Sequence, residues 1–593
     1  MRSALLLVGC LLSDLLSAQG TLTCRVVDAE TRSPLPYATV LVQGSTRGTI
    51  TNAEGWFSLP IHGPSDSLRI SFVGYRTRVV HLHAELDGRD IRMERAVHTL
   101  GEAVIRPGED LYARVVAASN WMRAAPEVRS KLFYGMETHS DGQPVEVLNA
   151  WYNATLKGAV LEGLDLRSGS IGIAPKGERH FINFNTARAF ALMDVHAEVG
   201  RFPLSPLAHR SARKLREAFT VEFVSSGHGA DAVDHLRVVP RANTPGAFTL
   251  DLWLAAEGVE VRALELSCME CPRHPFVPLF PEGRIDAVDM RYRQSWTLQP
   301  PHMPEVMELD YHTTYSGPGF QDQFRTHAIM HAHDPGAPFI PALFQPRPGI
   351  EEYRMIRWLP RDTVMEQRLV APIPTERQMR DRAFIEANDL STNAWYDGLG
   401  HRYDLLRPAY VVWSRKDRIG IQHLRESPPE VASGHLPADR MKLRAQLYLA
   451  MDTTGGEFHY TSAAVFDGLR SMYAPTARPW IKAFLNIAFD LAEMEHRHMK
   501  ERLDAPGMTV ERARRIHAEH EARLRDTLDT YVRRTRRGGD MALLHQWNRE
   551  VKEALGINNL MLVEPRQHVH DFLPLPTCAS HPHLGLCDPT PCP

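Results

Sequence analysis

The stretch Leu35–Pro60, "LPYATVLVQGSTRGTITNAEGWFSLP", decides how the chain is read. Ala38, Val40 and Val42 alternate along it, Gln43-Gly44-Ser45 and Asn52-Ala53-Glu54-Gly55 punctuate it, and a strand pattern resumes from Trp56 to Leu59. Alternation with a period of two places every second side chain on one face, and glycine supplies the positive φ that tight turns need. Working outward, "LTCRVVDAETRSP" precedes this stretch from Leu22, and "DSLRISFVGYRTRVVHL" follows it with two more strands that carry Leu68, Ile70 and Phe72 on one face. The expectation is an all-β sandwich over residues 20–95.

Upstream, "MRSALLLVGCLLSDLLSAQG" has one arginine, an apolar run from Ala4 to Leu16 and small residues at Ser17 and Ala18. It reads as an export signal over residues 1–19, cleaved near Ala18 to Gly20. Leu7-Val8-Gly9-Cys10 offers a competing lipoprotein-type box with Cys10 lipidated, but the gap between Arg2 and Cys10 is short for an apolar core of roughly 7–15 residues. No other apolar run reaches the roughly 18 residues of a membrane-spanning helix. With 43% hydrophobic and 23% charged residues in 593, and a net charge of −3, the chain is globular in composition and long enough for several domains. That near-neutral balance argues against a nucleic-acid partner. Seven cysteines are present, six of them beyond the signal, and the sequence does not choose among their pairings.

Val27-Asp28, Thr31, Pro34-Leu35-Pro36, Ala38, Val40, Gly44-Ser45, Gly48-Thr49, Thr51-Asn52, Gly55, Phe57 and Ser71-Phe72-Val73-Gly74-Tyr75 together resemble the carboxypeptidase-regulatory-like domain found at the N-terminus of exported Bacteroidota proteins. One departure is Cys24, where that family usually has glycine. The resemblance implies a transthyretin-like or prealbumin-like sandwich that accompanies other domains without doing chemistry, in a protein of the periplasm or outer membrane. In outer-membrane receptors the same module precedes a plug and a barrel, and "LGEAVI", Leu100 to Ile105, resembles the segment that follows it there. A 22-stranded barrel needs about 220 residues in strands alone, and the last third of this chain reads as helix, so that interpretation fails.

After a linker at 96–110, residues 111–335 are expected to form an α+β domain with an antiparallel sheet. It opens with the helical "EDLYARVVAASNWMRAAPEVRSKLFYGMETHS", Glu109 to Ser140, and continues in strands such as "VEVLNAWYNATLKG", "FTVEFVSS", "DHLRVVP", "FTLDLWLAA", "VEVRALELS" and "RIDAVDMRYRQSW". "WYNATLKG", "INFNTARAFALMDV", "RFPLSPL" and "HPFVPLFPEG" resemble soluble regions that follow the module in Bacteroidota envelope proteins, a resemblance that implies no particular chemistry. Residues 350–565 are expected to be an all-α domain. Ile481, Phe484, Leu485, Ala488 and Leu491 form one helical stripe, and a long charged helix begins at a Thr509 cap. Lys500–Asp540 mixes eleven basic with eight acidic residues, the pattern of a solvated helix face. Residues 566–593 form a Cys/His/Pro-rich tail expected to be disordered.

Three groups could carry chemistry. Cys268-Met269-Glu270-Cys271, with Pro272 and His274 after it, has redox spacing but no helix N-terminus to lower a thiol pKa. A local disulfide or an inert pair is the leading reading there, ahead of a metal site or a redox centre. His496, His498 and Glu501, with His517 and His520, lie on predicted helices where residues three or four apart share a face, but H-E-x-x-H is absent and polar-face histidines are expected. In the tail, Cys578, His581, His583, Cys587 and Cys592 could take a metal or close disulfides. No nucleophile elbow, phosphate loop or dinucleotide fingerprint occurs, so no catalytic residue, metal ligand or cofactor is assigned.

The sequence therefore points to a non-catalytic exported envelope protein that binds or scaffolds an envelope protein or a glycan. One alternative is a metal-dependent hydrolase with its ligands on the His-rich helices. Another is glycan binding through the sandwich, for which Trp56 and Tyr75 are the aromatic candidates.

Overall fold

The computed structural model describes residues 21–562 apart from internal stretches, the longest being 97–109, 178–185, 345–355, 363–370, 390–409 and 427–441. The expected signal with Cys10, most of the linker with Leu100–Ile105, and the tail lie outside the described residues. The chain divides into two units, Met1–Pro341 with Arg361–Tyr396, and Ala342–Pro360 with Asp397–Pro593. No helix among the described residues is long and apolar enough to cross a membrane.

The first unit opens with a seven-stranded sandwich. Strands β1 (Thr21–Asp28), β4 (Trp56–Pro60) and β7 (Asp90–Met93) form one sheet in the order β4-β1-β7, and β2 (Thr39–Val42), β3 (Gly48–Ile50), β5 (Ser67–Ser71) and β6 (Arg78–His81) form the other in the order β3-β2-β5-β6. The alternating residues meet as expected, with Ala38, Val40, Val42, Leu68 and Ile70 in one core and Phe72 packed against it. Cys24 fills part of that core opposite Phe57, where burial pushes its thiol up to about 11. Gly55 turns at φ +80°, and a Cβ there would lie 2.6 Å from the Val26 carbonyl oxygen, so the turn needs glycine. The Val27-Asp28, Thr31 and Tyr75 signature is structural. Asp28 accepts from the Glu30 and Thr31 amides, from Tyr75 Oη at 2.7 Å and from Arg95 Nε at 2.6 Å.

The middle of the chain builds a ten-stranded sheet, in which every pairing is antiparallel. Its strands are β8 (Glu127–Ser140), β9 (Gln143–Lys157), β10 (Val160–Ile173), β11 (Phe219–Ser226), β12 (Val233–Pro240), β13 (Thr249–Ala255), β14 (Val261–Cys268), β15 (Arg284–Trp296), β16 (Pro304–Gly317) and β17 (Phe320–His333). The spatial order is β10-β9-β8-β17-β16-β15-β14-β13-β12-β11. Helix α1 (Leu111–Ala124), capped by Asp110, stops at Ala125 because Pro126 follows. The expected helical continuation through Ser140 is instead strand β8. Leu132 to Met136 are buried without a break, so β8 shows no alternation and lacks a strand signature.

The two faces of the large sheet differ in character. On one, Tyr134 and Tyr292 pack edge-on or tilted against Phe190 of α2 (Thr186–Leu192), and α1 reaches α3 (Ala212–Ala218) and inserts Arg114 toward Asp234 at 2.6 Å. On the other, Phe133, Trp151, Val306 and Ile329 meet Ile50 and Tyr37 of the sandwich and Ala371. Each large apolar side chain so buried contributes roughly 1.5–3 kcal/mol, which seats the small module on the sheet. Helix α4 (Glu376–Asn388) covers the same face beside β9 and β10. It starts at a capping box in which Thr375 Oγ1 accepts from the Gln378 amide and Gln378 Oε1 accepts from the Thr375 amide. Ile385 of α4 comes so close to Gly172 that a Cβ there would be 2.5 Å from Ile385 Cγ2.

The second unit corrects the all-α expectation. Strands β18 (Tyr410–Val412), β20 (Ala445–Asp452) and β21 (His459–Asp467) form an antiparallel sheet in the order β18-β21-β20, and β19 (Arg425–Glu426) pairs with β22 (Met472–Tyr473). Leu447–Met451 and Ala463–Phe466 are buried as continuous runs, so the period-two signal is missing. Against this sheet lie α5 (Ile481–Leu503) and α6 (Val510–Arg534), and α7 (Met541–Leu555) packs on α5. The predicted α5 stripe is buried, and Thr509 caps α6 by accepting from the Arg512 amide. Asp490 is buried with its carboxylate satisfied by Arg418, Trp413 Nε1 and Asn559 Nδ2.

Candidate functional site

Successive side chains of β8, β15, β16 and β17 point to opposite faces of the sheet, so the residues of these strands that face away from Tyr134, Tyr292 and Tyr311 line up on the face that carries the sandwich and α4. These are Glu137 and His139, Asp289 and Arg291, Glu308 and Asp310, and Arg325 and His327. Between the sandwich edge, this face and α4 lies a cleft of about 520 Å³. Tyr37 lines it and also two neighbouring cavities of about 380 and 190 Å³.

Tyr37 reaches this position from a left-handed backbone conformation, φ +58°, that a bulky side chain seldom adopts. Its hydroxyl is 2.8 Å from His327 Nε2, and His327 Nδ1 is 2.6 Å from Asp310 Oδ1. Asp310 Oδ2 in turn accepts from Arg291 Nη2 at 2.7 Å. A single hydrogen-bonded chain therefore runs from the sandwich into the sheet.

The electrostatics favour charge on the imidazole at the centre of that chain. Burial opposes charge on His327, but its hydrogen bond to Asp310 and the charges of Asp310, Glu308 and Glu137 outweigh this and raise its pKa above the ordinary value. Asp310 is held below the usual carboxylate range by His327 and Arg291 despite its own burial. Burial, followed by the charges of Glu308, Asp310 and Glu137, drives the Tyr37 phenol strongly upward. With His327 protonated, Nδ1–H donates to Asp310 and Nε2–H donates to the phenol oxygen, which leaves the Tyr37 proton free to donate into the cleft. A phenol so resistant to ionisation is a donor and the opposite of an activated nucleophile.

The groups singled out in the sequence lie elsewhere. Cys268 and Cys271 are free, buried thiols at the end of β14, so the pair is not joined by a disulfide. Their hydrogen bond lowers the Cys268 pKa, and the same bond together with burial raises Cys271. His517 Nε2 lies 2.6 Å from the Leu447 carbonyl oxygen, and His520 Nδ1 lies 2.6 Å from Glu495 Oε1. His496 bonds Glu493 and Ser462, and His498 is 3.9 Å from Glu495. His498 and His520 thus share Glu495, while His496 and His517 turn to other partners. Trp56 is half-buried with Arg25 beside its ring, and the Tyr75 hydroxyl is committed to Asp28.

Sequence reasoning missed the cleft because its residues are spread from Tyr37 to Gln378 and arrive singly from several strands. The available signal was the run of charged and histidine residues at alternate positions of "MRYR", "ELDYH" and "FRTHA".

Several solved structures are similar to part of the chain, all at scores far below those of a shared fold. MucB from the Pseudomonas aeruginosa MucA/MucB complex has 10% identity and a TM-score of 0.14, covering 37% of this chain and 93% of its own. A DUF1329 family protein from Desulfovibrio piger has 7% identity and a TM-score of 0.16, covering 37% and 91%. A LolA superfamily protein from Nitrosomonas europaea has 9% identity and a TM-score of 0.16, covering 39% and 94%. No curated protein matches the chain. The firm likeness is that of the sandwich, for residues 22–105 match the profile of the CarboxypepD_reg-like domain.

Proposed function

We propose that the protein is a non-catalytic, exported cell-envelope component that holds a segment of a protein partner in the cleft between its sandwich and its large sheet. The observation that carries this reading is the Tyr37–His327–Asp310–Arg291 chain, because it makes the accessory module part of the wall of a polar cleft. Arg291, Arg325 and Arg377 alternate there with Glu137, Asp289 and Asp310, a lining that suits a segment of mixed charge. Glycan recognition favours exposed aromatic platforms, and Tyr37, the aromatic ring that the sandwich brings to the cleft, is half-buried with its hydroxyl against His327.

The test is site-specific photo-crosslinking in intact cells, with the probe at exposed Arg325 and a control at Arg213, whose side chain is 89% exposed. A discrete adduct at position 325, absent at 213 and lost on Arg291→Glu, is expected. The same adducts at both positions, or none at 325, would reject the reading.

A further inference from the structure

The geometry points to a divalent metal site at the α4 end of the cleft, formed by Glu137, His139 and Asp381 and suited to a zinc-class ion. Glu137 and His139 are two apart on β8 and so share a face, and Asp381 comes from the first turns of α4, 242 residues later. One ligand atom from each lies within 4.8 Å of the others, and among the described residues no other group of three or more His, Cys, Asp or Glu does so. Among the described residues, neither Cys268 with Cys271 nor the histidines of α5 and α6 gather such a set.

His139 Nε2 and Asp381 Oδ2 are 2.9 Å apart, with the side chains 12% and 18% exposed. An ion bound tetrahedrally at about 2.0 Å from nitrogen and 2.1 Å from oxygen needs these atoms about 3.3 Å apart, so displacing the proton they share requires only a small opening. The Glu137 side chain makes no hydrogen bond or ion pair among the described residues, although it is half-buried, and a carboxylate left in that state is suited to a cation. One imidazole with two carboxylates is a borderline N/O set of the kind zinc takes, and three protein ligands leave a position open toward the cleft. Arg377, with Nη2 at 3.2 Å from His139 Nε2 and Nε at 3.4 Å from Asp381, occupies the cation's place; its side chain is 62% exposed and free to swing outward. The site stands independently of which partner the cleft holds.

The experiment is equilibrium dialysis of the chelator-treated full chain against Zn²⁺, with metal counted by mass spectrometry, for the wild type and for Glu137→Gln, Asp381→Asn and His139→Gln. Glu137→Gln breaks no hydrogen bond and keeps the fold even if a change at the His139–Asp381 pair loosens α4. The wild type should hold one equivalent more than Glu137→Gln and Asp381→Asn, or bind that equivalent at least tenfold more tightly, and Co²⁺ in the same site should give a visible spectrum that Glu137→Gln abolishes. Zinc taken up by the C-terminal Cys/His residues stays constant across the set. Equal stoichiometry and affinity in the wild type and Glu137→Gln would overturn the site.

Discussion

Glu305 illustrates how one residue ties the sandwich to the sheet and makes the tie depend on pH. It sits at a register irregularity of β16, accepts a hydrogen bond from Thr39 Oγ1 at 2.9 Å, and burial pushes its pKa from 4.5 up to about 7. A carboxyl whose folded pKa exceeds its unfolded one favours the folded state fully below pH 4.5, and this advantage drains away as pH rises toward 7. The shift corresponds to roughly 3 kcal/mol. Glu305→Gln keeps an acceptor for Thr39 and cannot ionise. Its melting temperature should match the wild type at pH 4.5 and exceed it at pH 8, and parallel pH profiles for the two proteins would refute this account. The sequence showed Glu305 only as one acid in a strand, because nothing local foretells that Thr39, 266 residues earlier, will cover it.

Elements were legible where their periodicity survived. Arg284–Trp296 and Phe219–Ser226 became strands over the residues marked out for them, because alternating patterns between turn residues specify a half-buried strand. Strands β8, β20 and β21 were not legible, since Leu132–Met136, Leu447–Met451 and Ala463–Phe466 are buried on both sides and carry no alternation. Helix α4 bears its own start signal, the Thr375–Gln378 capping box. Its partner could not be inferred, since Ile385 packs on Gly172 through contacts distant in sequence. Thr375→Ala should remove the cap at about 1 kcal/mol. Hydrogen exchange of the amides at 376–381 should accelerate several-fold, with the amides of β16 unchanged; equal protection would show that the cap does not hold the helix.

At the scale of the molecule, the sandwich, the large sheet and the C-terminal helices followed the reading from sequence, while the path of the chain between units did not. The first unit consists of Met1–Pro341 and Arg361–Tyr396, with Ala342–Pro360 assigned to the second unit between them. The chain therefore leaves the first unit, enters the second, returns to contribute α4, and departs again. A chain ending at residue 341 should lack the α4 wall and expose the apolar floor near Ile329 and Trp151, whereas one ending at 396 should retain it. Binding of a hydrophobic dye should be stronger for the shorter chain, and equal binding would refute the role given to α4.

That return of the chain also sets a clock. The ribosome makes His139 long before Asp381, 242 residues later, and at 5–20 residues per second the interval is roughly 12–50 s. During those seconds the sheet face has one bank and lacks the other. Any chaperone that shelters the nascent chain must release that face before α4 can claim it.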